Sequence, residues 1–110
     1  MLERHHIIFK SSGGLDFHLN YIYLSPEKHR GESGPHKNRN IDLKYKERLE
    51  SNLRQLLTKS YYEVDELIER LLLNEKQACK AFKKVERDIE GISRENVIKR
   101  LLGGRYYIDC

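Results

Sequence analysis

The sequence predicts an α+β chain, with a short strand–loop–strand–helix unit at its N-terminal end followed by a helical segment. Three observations lead there. The five histidines, His5, His6, His18, His29 and His36, all fall within the first 36 of 110 residues. Two short apolar runs in that stretch, Ile7-Ile8-Phe9 and Tyr21-Ile22-Tyr23-Leu24, lie on either side of Gly13-Gly14. Beyond residue 40 the apolar residues instead recur three and four apart, the spacing of one helix face.

Each element has its own signal. Residues 5–9 (HHIIF) are β-rich and read as the first strand. Residues 10–16 form a loop in which Gly13-Gly14 permits positive φ and a sharp reversal. Residues 20–24 alternate aromatic and aliphatic side chains and read as the second strand, with Tyr21 and Tyr23 as core. Ser25 reads as an N-cap and Pro26 as the first residue of a short helix carrying His29. Residues 31–35 (GESGP) turn the chain. A helix then runs from near Asn40 to about Leu57, with Tyr45, Leu49, Leu53 and Leu56 on one face. Residues 63–73 place Val64, Leu67, Ile68, Leu71 and Leu72 at helical spacing. Asn74 with Gln77 marks a capped start for the next helix, with Ala78, Ala81, Phe82 and Val85 inward. Ser93 starts the last helix, with Val97, Ile98, Leu101 and Leu102 inward, and Gly103-Gly104 ends it. Residues 105–109 (RYYID) read as a terminal strand. There are no internal repeats and no low-complexity tracts.

At 110 residues the chain is one small domain, or a compact motif with a helical piece appended. Its core is small, and a bound metal would help it. Residues 1–60 hold 11 Lys/Arg against 7 Asp/Glu, whereas residues 61–110 hold 10 of each. The positive excess therefore travels with the histidines, as suits a surface that meets phosphates, although solvated charge fits equally. Imidazole is both the commonest metal ligand and the usual general base near neutral pH. Cys79 and Cys110 form no CxxC pair and suggest no disulfide framework, so a reducing cytoplasm is expected. The start MLERHHII lacks the apolar core of a signal peptide, and no stretch approaches membrane-spanning length.

The histidine pair, the Gly-Gly loop, Asn20 and the His29 helix come in the order HHIIFKSSGG, DFHLNYIYLSPEKH, GPH. This order resembles the HNH endonuclease family with its ββα-metal (His-Me finger) fold. The resemblance covers residues 5 to about 45. It is to small phage-type members in which Gly-Pro-His or a similar tripeptide follows the last motif histidine and a helix like IDLKYK comes next.

The resemblance implies a role for each matching residue. His5 is a metal ligand and His6 the general base. Adjacent strand residues point to opposite sides, which agrees with a split of roles. Asn20 ties down the loop and orients the base, and His29 is the second ligand. Many relatives place the third ligand four residues on, where this chain has Ser33, a poor ligand. His36, seven on, is the available imidazole, and the glycines with Pro35 let the chain loop back. His18 has no counterpart and reads as loop surface. Arg30, Lys37 and Arg39 read equally as solvated charges or phosphate contacts. The implied cofactor is one divalent ion (Mg, Mn, Zn or Ni), the substrate DNA, and the products 5′-phosphate and 3′-hydroxyl ends. Only four residues precede His5, so this is a minimal member or a chain lacking upstream sequence.

The expected organisation is residues 1–58 as the nuclease motif with its long helix and residues 61–110 as a helical segment. YYEVDELIERLLLNEKQACKAFKKV loosely resembles a helix-turn-helix, with Lys76, Lys80, Lys83 and Lys84 on its second helix. That segment either reads DNA, or completes the core, or forms a homodimer. The main alternative function is a non-catalytic DNA-binding protein that keeps the scaffold and a structural metal. Retention of His6 and Asn20 argues against it, since neither is needed to hold an ion. A helical regulator with incidental histidines leaves the motif order unexplained.

Overall fold

Five helices and two separate two-stranded antiparallel sheets form the described part of the chain, which is therefore α+β. The structure, a computed structural model, describes residues 1–108. Strand β1 (Glu3–His6) pairs with β2 (Tyr21–Leu24), with His5 opposite Ile22 and His6 opposite Tyr21. The first strand thus starts and ends earlier than residues 5–9. Ile7 N–H still reaches Asn20 O at 2.8 Å, but Ile8 N–H turns to the Asn20 side chain and Phe9 O accepts from Ser12 and Gly14. A 3-10 turn over Lys10–Ser12 and Gly13 at φ 87° reverse the chain there. A Cβ on Gly14 would lie 1.9 Å from Ile8 O, so the loop closes only over glycine. Asn20 ends a second 3-10 turn, His18–Asn20, rather than opening the strand. Tyr23 is no core residue. It lies on the open face of a sheet only two strands wide and is 57% exposed.

Helix α1 (Pro26–Arg30) starts as expected. Ser25 Oγ accepts from Lys28 N–H at 3.3 Å, and Pro26 sits in the first turn, where no backbone donor is needed. It packs against both β1 and β2. Helix α2 (Arg39–Leu56) is capped by Asn38, which accepts from Asn40 and Ile41. Helices α3 (Val64–Leu71), α4 (Glu75–Phe82) and α5 (Arg94–Leu101) follow. Asn74 and Ser93 cap α4 and α5 by accepting from Gln77 and Asn96. The Gln77 side chain does not turn back on its own cap; it reaches Asp16 instead.

The differences from expectation gather at element ends. Leu56 and Leu72 are exposed, and Leu57 and Leu73 are buried in their place. Leu57, the C-cap, still donates to Leu53 O at 2.8 Å and extends the buried stripe of Leu49 and Leu53, so it rather than Leu56 faces the core. Leu72 ends α3 in the left-handed region at φ 55°, which swings Leu73 into the core. Lys83 is the C-cap of α4 and Lys84 lies beyond it, so only Lys76 and Lys80 ride on that helix. Strands β3 (Tyr61–Tyr62) and β4 (Ile92–Ser93) pair in a sheet the sequence does not announce. Two residues per strand are too few for an alternation to show. Residues 105–108 form no strand, because the buried Glu50 carboxylate accepts from Tyr107 N–H at 2.7 Å and Ile108 N–H at 3.1 Å. Asp109 and Cys110 lie outside the described residues.

One apolar cluster joins the two ends of the chain. Ile7, Ile8, Leu15 and Phe17 pack with Leu49 and Leu53 of α2 and with Leu67, Phe82, Val97, Ile98 and Leu102. No helix is long and apolar enough to cross a membrane.

Candidate metal centre

Three imidazoles converge at the open end of the first sheet. His5 comes from β1, His29 from α1, and His36 from the segment that follows the 31–35 turn. Their candidate ligand atoms all lie within 4.8 Å of one another, and the Nε2 atoms of His29 and His36 face each other at 3.0 Å. Ligand nitrogens around a tetrahedral ion at about 2.0–2.1 Å lie roughly 3.4 Å apart, so the cluster needs little adjustment to close on a cation.

His5 is 2% exposed, and its Nε2 is buried with no hydrogen-bond partner among the described residues. A polar atom shut away like this is costly unless something satisfies it. Burial, then the neighbouring His36 and His29, lower the His5 pKa to about 4. His5 is therefore neutral at neutral pH, with its lone pair free for ligation, as metal binding requires. Asp42 opposes this shift, and its own Oδ1 is also buried without a partner among the described residues.

His29 is oriented by a carboxylate. Its Nδ1 lies 2.9 Å from Glu3 Oε1, while Glu3 Oε2 accepts from Arg30 at 2.8 Å. The hydrogen bond from His29 is the largest of the effects that hold the Glu3 carboxyl below its usual range. An ionised carboxylate only accepts, so Nδ1 carries the proton and Nε2 turns its lone pair to the cluster. Glu3 belongs to no motif in the sequence, although it lies two residues before His5 on the same strand face. Arg30 pairs with Glu3 through one Nη2 donor while its side chain stays 67% exposed.

His36 depends on the glycines before it. A Cβ on Gly31 would lie 2.1 Å from Glu27 O, and one on Gly34 would lie 2.1 Å from Lys28 O. The chain passes this close to α1 only without side chains. Phe9 then stacks on the His36 ring at 5.4 Å and meets His5 edge-on at 5.7 Å.

His6 takes no part in the cluster. Its Nε2 lies 2.7 Å from Asp16 Oδ1, which also accepts from Tyr21 OH at 3.2 Å. Gln77 of α4 donates to Asp16 Oδ2 at 3.0 Å and accepts from Asp16 N–H at 2.8 Å, and Lys10 Nζ lies 3.4 Å away. The His6 hydrogen bond, opposed in part by burial and aided by Gln77, Lys10 and Tyr21, holds the Asp16 carboxyl far below the usual carboxylate range. His5, His6, His29 and His36 nonetheless line one cavity of about 530 Å³, together with Arg4, Phe9, Lys10 and Ser11. The sequence marks Gln77 only as a capping partner of Asn74 and gives Asp16 no signal, since the two meet from 61 residues apart.

Asn20 is fully buried. Its Oδ1 accepts from Ile8 N–H at 2.8 Å, and its Nδ2 donates to Ile8 O at 3.1 Å and Leu15 O at 2.9 Å. It thus pins both ends of the loop between the residues that follow His6 and those that precede Asp16. His18 is exposed and outside the cluster. Lys37 and Arg39 are exposed, with no ion pair among the described residues. Lys76, Lys80, Lys83 and Lys84 are exposed and do not line the cavity.

The arrangement could hold one metal ion on three neutral nitrogens, beside an imidazole held by a carboxylate. Compared with known proteins, the chain matches no family model, no curated protein and no solved structure.

Proposed function

We propose that the chain is a metal-dependent DNA endonuclease of the HNH type, with β1, β2 and α1 as its ββα-metal unit. The observation that carries this reading is His5 Nε2, buried and without a hydrogen-bond partner among the described residues, within a three-imidazole cluster whose cavity His6 also lines. His5, His29 and His36 are the residues that would hold one divalent ion. Three neutral imidazoles leave its charge intact and coordination positions open, which suits catalysis better than a closed structural site. When bound, such an ion supplies charge stabilisation at a non-bridging phosphate oxygen and at the departing oxygen.

The chain's own residues do the rest. His6 takes a proton from water as the water oxygen bonds to phosphorus and the bond to the 3′ oxygen breaks. The departing oxygen gains a proton from solvent, leaving 5′-phosphate and 3′-hydroxyl ends. General-base help of this kind is worth roughly 10²–10⁴-fold. Asn20 keeps the loop behind His6 from shifting. Lys37, Arg39 and the α4 lysines Lys76 and Lys80, with Lys83 and Lys84, offer phosphate contacts.

The test is cleavage of supercoiled plasmid with Mg²⁺, Mn²⁺, Zn²⁺ or Ni²⁺, comparing wild type with His6→Ala and with His5→Ala. His6→Ala is expected to lose cleavage and keep metal affinity, and His5→Ala to lose both. Metal and DNA binding without cleavage under any ion would leave a DNA-binding protein with a structural metal.

A further inference from the structure

The Asp16 carboxylate is saturated by donors from three parts of the chain: His6 on β1, Tyr21 on β2 and Gln77 on α4. Being ionised, it can only accept. His6 must therefore donate from Nε2, and in a neutral imidazole the remaining nitrogen, Nδ1, is then the unprotonated one. Gln77 grips Asp16 at two points, its backbone N–H and its Oδ2. Arg100 of α5 fixes the same loop from its other end, donating to Gly13 O at 2.9 Å while its Nε donates to Ala81 O at 2.9 Å. The loop that presents Asp16 is thus built against helices from the far half of the sequence.

We infer that Asp16 is the positioning residue for His6, fixing its ring and tautomer, and that Gln77 in turn fixes Asp16, so that the helical half is part of the catalytic apparatus. The catalytic part of this inference rests on the nuclease reading; the tautomer does not. A bare loop clamp would place the same atoms in contact but would leave the choice of His6 tautomer and turnover to other residues.

The experiment uses the full chain in three variants, Asp16→Ala, Asp16→Asn and Gln77→Glu. Gln77→Glu keeps the acceptor for Asp16 N–H and replaces the donor to Oδ2 with a repelling carboxylate, without opening a cavity. Imidazole ¹⁵N spectra at neutral pH report the tautomer of His6. Wild type is expected to show His6 protonated at Nε2, Asp16→Asn to retain that tautomer in part, and Asp16→Ala and Gln77→Glu to lose its dominance. In plasmid cleavage, Asp16→Ala is expected to lower kcat by about 10²-fold or more with KM and metal affinity little changed. Gln77→Glu should lower kcat about tenfold. An Asp16→Ala protein that keeps wild-type kcat, while His6→Ala has none, overturns the positioning role and leaves the nuclease standing. A wild type that cleaves nothing overturns the nuclease, and the spectra still decide the tautomer assignment. A tautomer unchanged in both Asp16→Ala and Gln77→Glu overturns the inference at its root.

Discussion

At the residue scale, His5 makes the metal-free protein sensitive to acid. Its pKa is lowered from 6.5 to about 4 in the fold. Between those values the unfolded chain takes up a proton that the folded one refuses. Its contribution is complete above pH 6.5 and is lost as pH falls toward 4, to a total of about 3 kcal/mol. Urea titrations of the metal-free protein should show this loss between pH 7 and pH 4.5, and His5→Asn should flatten that part of the profile. An equal loss in His5→Asn would move the cause elsewhere. Glu3 acts on the same cluster by orienting His29. Glu3→Gln keeps an oxygen acceptor and removes its charge, and should weaken metal affinity about 10- to 100-fold by calorimetry. Unaltered affinity would reduce Glu3 to a surface pairing with Arg30. The three imidazoles are legible in the sequence as residue types suited to ligation, but their supporting carboxylates are not. A ligand is recognised by what it is, whereas Glu3 and Asp16 matter only for where the fold brings them.

At the element scale, the caps were the readable part. Ser25, Asn74 and Ser93 each satisfy a backbone donor within three residues, so their signal is local and survives in sequence. The misplaced Leu56 and Leu72 show the opposite case, since periodicity does not say where the last turn stops. The sheet of β3 and β4 was invisible because its pairing is distant and its strands have two residues each. The turn over 31–35 is the element on which the site depends most. Gly34→Ala would set a Cβ 2.1 Å from Lys28 O and push the following residues, His36 included, off α1. Metal affinity should fall at least about tenfold, and the metal-free protein should lose some stability too, since Gly34 and Pro35 are buried. Wild-type affinity in this variant would show that His36 is not held from that side. The lysine set near α4 is tested by salt. Replacing Lys76, Lys80, Lys83 and Lys84 with Gln should flatten the log–log salt dependence of DNA binding by about one unit for each lysine that meets a phosphate. The same slope in wild type and variant would leave α4 as scaffold alone.

At the scale of the whole molecule, the sequence suggests one small domain or a motif with a helical piece appended. The packing is more entangled. Ile8, Leu15 and Phe17 lie in one cluster with Leu67, Phe82 and Leu102, so residues 1–58 alone would expose much of their apolar surface. That fragment should show poor amide dispersion and no cooperative melt, and a cooperative melt would mark it as an independent domain. The longest of the stitches among the described residues is the hydrogen bond from Arg100 to Gly13, which spans 87 residues. Translation delivers the histidines well before Arg100. A nascent chain still attached to the ribosome therefore carries every proposed ligand and the proposed base, but not the helix that anchors the loop behind them. If the protein cuts DNA as proposed, its own synthesis includes a delay: the loop behind the proposed base stays unanchored until the segment that carries Arg100 has emerged and folded.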